Sequence, residues 1–359
     1  MHFAVKLSFK QLLLRIIFKR LMQHTLYHKE LFLLESGGYL PDLTISYHTY
    51  GQLNEQKDNV IWICHALTAS SDAAGWWNGL VGEGKIFDPR RHFIVCANIL
   101  GSCYGTTGPL SVNRETGMPF YSSFPFITIR DMVQAHIVLR KALGIDHISV
   151  LAGGSMGGYQ CLEWALMEKE RIGRLFLLAT SAAESAWGIA IHTAQRMAIE
   201  ADGTFYLKEE NAGSKGLKAA RAIGLITYRN YHLIKEQQSD NDNNKIDLFK
   251  VSSYLNYQGD KLVSRFNALS YWVLSKAMDT HNISRNREKR LDETIKMINN
   301  QTLLIGISSD ILCPPEEQRA LAEALPFCRY EEIASPYGHD GFLIESDKIS
   351  HIFLAWLDN

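Results

Sequence analysis

Five short apolar runs constrain this chain most. They are "VIWICHAL" from Val60, "HFIVCANIL" from His92, "HISVLAGG" from His147, "LFLLATS" from Leu175 and "TLLIGISS" from Thr302. An alternating strand leaves one face to water. A run without alternation is buried on both faces, as in a parallel sheet covered by helices. Helical patterns lie between the runs. "TIRDMVQAHIVLRKALG" lines up Met132, Ala135, Leu139 and Leu143 and stops at Gly144, and the stretch after Ser155 carries Leu162, Ala165 and Leu166. Strand and helix in alternation predict a doubly wound α/β fold, with a mostly parallel central sheet and helices on both faces. At 359 residues and 46% hydrophobic, the chain can bury one large core and carry an inserted lobe.

The alternation stops after Ser181. From Ala182 to Ile298 the pattern is mainly helical, in "GIAIHTAQRMAIEAD", "LKAARAIGLITYR" and "LVSRFNALSYWVLSKAM", interrupted by the polar, flexible-looking loop "KEQQSDNDNNKID". The strand rhythm resumes at Thr302. The expected organisation is a core in two parts, 24–181 and 299–359, with a helical cap inserted at 182–298. Ligand sites form at the C-terminal ends of parallel strands, where such a cap would sit. Residues 1–23 read as an N-terminal extension outside the fold, with an amphipathic helix lying on a membrane surface as the alternative. Lys6, Lys10, Arg15, Lys19 and Arg20 interrupt its apolar residues, which excludes a signal peptide and a membrane span, and Met22 offers an alternative start.

Composition narrows the function. The net charge is -1, and no basic tract with interleaved aromatics stands out in the body of the chain, which argues against nucleic-acid binding. Stable membrane association is not expected either. The six cysteines form no CxxC pair, and there is no HExxH, so no metal and no bound cofactor are expected. Unpaired thiols in apolar segments fit a reducing compartment, the cytoplasm.

The chemistry converges on "GGSMGG". Gly153 to Gly157 match G-x-S-x-G, a weak pattern alone. Here a buried strand precedes it and a helix follows, the setting of a nucleophile elbow. The glycines are needed where strand and helix approach, and the helix N-terminus aims N–H groups at a developing oxyanion. A serine nucleophile needs a base, and the base an orienting acid. Asp310 follows the run ending "IGISSD", before Pro314 and Pro315. His339 lies in "SPYGHDGFLIE", after "RYEEIAS", which is expected to form a strand. Ser155, Asp310 and His339 in that order, each at a strand end, predict a catalytic triad. The oxyanion hole is assigned to the backbone N–H groups of Leu67 and Met156. His65 precedes the serine and reads as a structural strand-end residue. His351, in the final helical pattern, reads as packing.

With these pieces placed, the sequence resembles the homoserine O-acetyltransferase family of α/β-hydrolase-fold acyltransferases. The resemblance runs from His24 to the C-terminus. It rests on "TYGQLN", "NVIWICHALT", "GWWNGLVGEGKIFD", "NILGSCYGTTGP", "GGSMGGYQCLEWA", "LITYR", "SYLNYQGDKLVSRF" and "YGHDGFLIE". It implies an α/β-hydrolase fold with a helical lid, and Ser155, Asp310 and His339 as the triad. It implies acetyl-CoA as co-substrate, L-homoserine as acceptor, a place in methionine biosynthesis, and a homodimer. Arg221 matches the arginine that binds the substrate carboxylate, Asp340 the acid at the substrate's amino end, and Tyr228 a pocket-wall residue. The chain departs from the family at Asn267, at Leu269 and in "ALTASSDAAG" and "DTHNISRNREKR". Succinyl-CoA as donor, L-serine as acceptor, and a carboxylesterase or thioesterase with the same triad therefore remain alternatives. So does a non-catalytic binding module on the same scaffold.

Because the resemblance begins near His24, removal of residues 1–21 is expected to leave activity and melting temperature nearly unchanged. A large loss of thermal stability in the truncated protein would place the extension inside the fold.

Overall fold

A computed structural model describes residues 23–358. The expected extension falls almost wholly outside these residues. Its boundary is corrected by one position. Gln23 already pairs with His48 and donates from Nε2 to Ser46 Oγ at 3.0 Å.

Among the described residues eight strands form the central sheet. They are β1 (Gln23–His28), β2 (Leu43–Tyr50), β3 (Val60–Cys64), β4 (Phe93–Ala97), β5 (Ile148–Gly154), β6 (Ile172–Leu178), β7 (Gln301–Ile307) and β8 (Cys328–Ile333). Their order across the sheet is β1-β2-β4-β3-β5-β6-β7-β8. β2 runs antiparallel to both its neighbours, and from β4 to β8 every pairing is parallel.

The unbroken apolar runs are explained by the two layers that flank the sheet. Trp62 on β3 and Leu175 and Leu177 on β6 pack into one layer, against α1 (Ile129–Ala142) and α2 (Met156–Met167). Their strand neighbours Ile61, Ile63, Phe176 and Leu178 point the other way, with Trp77, Phe87 and Phe353. α1 begins with a capping box between Thr128 and Asp131, and the chain leaves its C-terminus through Gly144 at φ 63°.

Between β6 and β7 the chain forms five helices of eight or more residues: α3 (Ala186–Glu200), α4 (Ser214–Tyr228), α5 (Tyr231–Gln238), α6 (Lys250–Val263) and α7 (Ala268–Asp279). The insertion closes at its base. Ala183 bridges Asn282, Glu184 N–H donates to His281 C=O at 2.8 Å, and Ile283 N–H donates to Ala182 C=O at 3.1 Å. Part of the expected cap, 283–298, reaches back to the core instead. Arg285 pairs with Glu35 at 2.9 Å and Arg287 with Glu163 at 2.7 Å, while Arg130 on α1 holds both acids. Glu163 is 1% exposed, so its two arginines are what make its burial tolerable. Within the cap, Asn267 caps α7 by accepting from Ser270 N–H at 2.7 Å.

Between β7 and β8 the chain adds α8 (Pro315–Ala324), and after β8 it closes with α9 (Ser346–Leu357). His351 lies on α9 but is exposed, which corrects its reading as a packing residue. Ile349 and Phe353 carry the buried face. The six cysteines are unpaired. No helix among the described residues is long and apolar enough to cross a membrane.

Candidate active site

Ser155 is the single residue between β5 and α2. Its backbone stands at φ 55°, ψ -129°, where an L-residue is strained. Its N–H donates to Leu178 C=O at 2.9 Å, and its C=O accepts from Gly158 N–H at 2.8 Å and Thr180 Oγ1 at 3.0 Å. The flanking glycines serve close approach. A Cβ on Gly157 would sit 2.1 Å from the Cys64 carbonyl oxygen, and one on Gly153 2.4 Å from the Gly157 carbonyl oxygen. The elbow is thus wedged between β3 and β6.

Two N–H groups are left over near this corner. Met156 is the first residue of α2, where the helix has no partner for its donor. Leu67 is the second residue of a turn closed by Ala69 N–H to Ala66 C=O at 3.0 Å, a position whose N–H the turn does not use. His65 sets that loop. Its Nδ1 donates to Ala66 C=O at 2.9 Å and its Nε2 accepts from Ile99 N–H at 3.1 Å. Both ring nitrogens are engaged, and burial pushes the imidazole down to about 4.

Asp310 stands three residues past β7 and is 2% exposed. Its Oδ1 accepts from the N–H groups of Leu312 and Cys313, each at 2.9 Å, and its Oδ2 lies 2.7 Å from His339 Nδ1. A carboxylate only accepts, so the His339 proton sits on Nδ1 and Nε2 carries the lone pair. His339 occupies a short helical turn, Gly338–Asp340. Gly338 has φ 63°, and its N–H donates to Ser309 Oγ at 3.0 Å. A Cβ on Gly338 would come within 2.7 Å of the Tyr228 carbonyl oxygen, so the histidine loop is seated against the end of α4. Burial alone would push the imidazole down. The Asp310 charge and hydrogen bond, helped by Asp340 and Glu184, outweigh it, and the net shift is upward.

A cavity of about 300 Å³ joins these pieces to the cap. Ser155, Leu67, Arg221, Tyr228, His339 and Asp340 all line it, while Asp310 and Met156 lie beneath its surface. Arg221 on α4 lies with its guanidinium carbon 5.6 Å from the centre of the Tyr228 ring. Its Nε is buried without a partner, and among the described residues no acid pairs with it. Asp340 is ion-paired instead: its Oδ2 lies 3.0 Å from Arg229 Nε. His192 and Arg265 also line the cavity, and no motif in the sequence marks either of them. His192 lies on α3 and Arg265 in the turn between α6 and α7, and only the packing of the cap decides which way each faces.

Metal-ligand chemistry is the other reading of part of this set. Donor atoms of Asp310, Cys313 and His339 lie within 4.8 Å of one another. However, the Nδ1–H to Oδ2 hydrogen bond already uses two of those groups, and burial first, then the Asp310 charge, push the Cys313 thiol well up. The arrangement suits an oriented base better than three free ligands.

The sheet order and the serine elbow define the class, an α/β-hydrolase-fold protein. The family model described as "alpha/beta hydrolase fold" matches residues 59–346. The homoserine O-acetyltransferase of Cyclobacterium marinum is 47% identical over 338 residues, covering 94% of this chain and 96% of the relative. The chain belongs to the homoserine O-acetyltransferase family, and with it to the acyltransferases of this fold. Homoserine O-acetyltransferase from Bacillus anthracis has a crystal structure of the same fold, with a TM-score of 0.85 at 24% identity over 92% of this chain and 96% of that one. An acetylester hydrolase from Corynebacterium glutamicum has it too, with a TM-score of 0.80 at 22% identity over 94% of this chain and 93% of that one.

If Asp310 raises His339, then Asp310→Asn should let burial act with less opposition. The imidazole should then lose its proton at a lower pH than in the wild type, with the midpoint falling from above its ordinary value of 6.5 to below it. An NMR titration of the His339 ring reads this directly. An unmoved midpoint would mean that Asp310 does not set the charge of this histidine.

Proposed function

We propose that this protein moves the acetyl group of acetyl-CoA to the hydroxyl of L-homoserine through an acetyl-Ser155 intermediate. His339 Nε2 takes the Ser155 Oγ proton as the oxygen attacks the thioester carbon. The N–H groups of Leu67 and Met156 hold the tetrahedral oxyanion. The carbon–sulfur bond breaks, and CoA leaves with the proton that His339 returns. The homoserine hydroxyl then loses its proton to His339 and attacks the acetyl-serine carbonyl, and collapse of that intermediate regenerates Ser155. Asp310 keeps Nε2 free to act as base in both halves.

The observation that carries this reading is Arg221. Among the described residues it is a cation without an acid partner, on the wall of the cavity that also holds Ser155. An esterase has no need of it. An amino-acid acceptor brings a carboxylate that a guanidinium grips with two parallel hydrogen bonds. Asp340, on the same wall, serves the ammonium, and Tyr228 backs the arginine. The names of the relatives point the same way. In this reading the enzyme works in the cytoplasm, in methionine biosynthesis, as a homodimer. Transfer outruns hydrolysis because the cap holds the acceptor against the acyl-enzyme.

Arg221→Ala separates transferase from esterase. Release of CoA in a single turnover should stay near the wild-type rate. Transfer to homoserine should fall by the loss of a charge-assisted contact whose partner is left unpaired, roughly 2 to 5 kcal/mol. That corresponds to about thirty- to several-thousand-fold. Arg221→Lys should recover little, because an ammonium lacks the two-pronged geometry. If both half-reactions slow alike, or neither does, Arg221 does not hold the acceptor.

A further inference from the structure

The cavity wall carries a second histidine–carboxylate pair that the proposed chemistry leaves unused. His192 on α3 is only 3% exposed, yet its ring borders the cavity. Its Nδ1 lies 3.0 Å from Oδ1 of Asp279, the last residue of α7. The other carboxylate oxygen of Asp279 lies 2.5 Å from Nη2 of Arg196, one helical turn along α3. Arg196 is itself tied down, donating to Thr193 Oγ1 at 3.0 Å and to Ser275 Oγ at 3.3 Å.

This pair differs from Asp310–His339 in a way that matters. Asp310 faces its histidine with backbone N–H groups behind it and, among the described residues, no Lys or Arg paired to it. Asp279 faces its histidine with a guanidinium on the other oxygen, so its charge is already matched. What remains for Asp279 is orientation. It accepts from Nδ1–H, which fixes the tautomer and leaves the lone pair on Nε2. Among the described residues no protein group donates to that nitrogen. The histidine that lines this wall thus keeps one hydrogen-bond acceptor, Nε2, in a fixed tautomer.

An amino-acid acceptor brings three polar groups into this cavity. Arg221 suits its carboxylate, and His339 takes the proton of its hydroxyl. Its ammonium needs acceptors, and has three N–H donors to place. Asp340 can take one, but it shares its carboxylate with Arg229. We infer that His192 Nε2 accepts a hydrogen bond from the acceptor's ammonium, with Asp279 and Arg196 as the positioning residues behind it. The inference rests on the acetyl-transfer reading above and adds to it the residue that recognises an α-amino group.

The test uses the full-length protein, its His192→Ala, His192→Gln and Asp279→Asn variants, and three acceptors. These are L-homoserine, 4-hydroxybutanoate, which lacks the amino group, and homoserinol, which lacks the carboxylate. His192→Ala should raise KM for homoserine by about ten- to a hundredfold, the range for one hydrogen bond to a charged group. Single-turnover CoA release should change far less. His192→Gln should recover part of the loss, since its amide oxygen can reach the place of Nε2. Asp279→Asn should raise the same KM by loosening the ring. With 4-hydroxybutanoate the wild type and His192→Ala should transfer equally poorly, whereas homoserinol should still feel the substitution. An unchanged homoserine KM would overturn the inference. So would a glutamine variant no better than alanine, or an effect that survives with 4-hydroxybutanoate and vanishes with homoserinol. These outcomes differ from failure of the acetyl-transfer reading, in which the wild type would release no CoA in a single turnover.

Discussion

Ser155 is held at φ 55°, ψ -129° by four hydrogen bonds to its backbone, and the rest of the site is arranged around that corner. A non-glycine residue in such a conformation costs on the order of 1–3 kcal/mol, so the surroundings must over-determine it. They do so from two strands at once. Leu178 at the end of β6 holds the serine N–H, and the Cys64 carbonyl at the end of β3 presses so close that only glycine fits at position 157. The same crowding exposes the first N–H of α2 beside the loop after β3. Strain at the serine and the paired N–H donors are therefore one feature of the packing.

The cap is coupled to this corner through two contacts of different character. Gly338 brings the His339 loop against the end of α4, so the base sits directly against the cap helix that carries Arg221 and Tyr228. At the base of the insertion, backbone pairing between 183 and 282 closes the stalk. Just beyond it, Arg285 and Arg287 bind Glu35 and Glu163 together with Arg130. Such a network stores little net stability relative to an apolar core, but breaking one partner leaves a buried charge uncompensated. Its effect is to fix where the chain re-enters the core.

The sheet was legible because its central strands are buried on both faces, so their sequences lack alternation. Ser155 and Asp310 were legible because each follows such a strand, and His339 because it sits in a glycine-flanked loop after the edge strand β8, in the chain order a triad of this fold requires. β1 carried no sequence signal because "QHTLYH" is an edge strand of mixed polarity, recognisable only through its pairing with β2. The end of the cap was misplaced because the acids that capture Arg285 and Arg287 lie 250 and 124 residues away in the chain. The Arg229–Asp340 pair and the cavity position of His192 were hidden for the same reason. Both depend on how the cap helices pack over the sheet, which no local pattern encodes. His351 misled because helical periodicity places a residue on a helix more surely than on its buried face.

The central claim is that Ser155 carries the acyl group between two substrates that never need to meet. It is tested most directly by mixing the wild-type protein with acetyl-CoA in the absence of acceptor, quenching within the first turnover, and measuring intact mass followed by peptide mapping. The account predicts one added acetyl group, located on the peptide that holds Ser155 and lost when L-homoserine is supplied before the quench. An acetyl group on Cys103 or Cys161, or CoA release without any acylated protein, would contradict it.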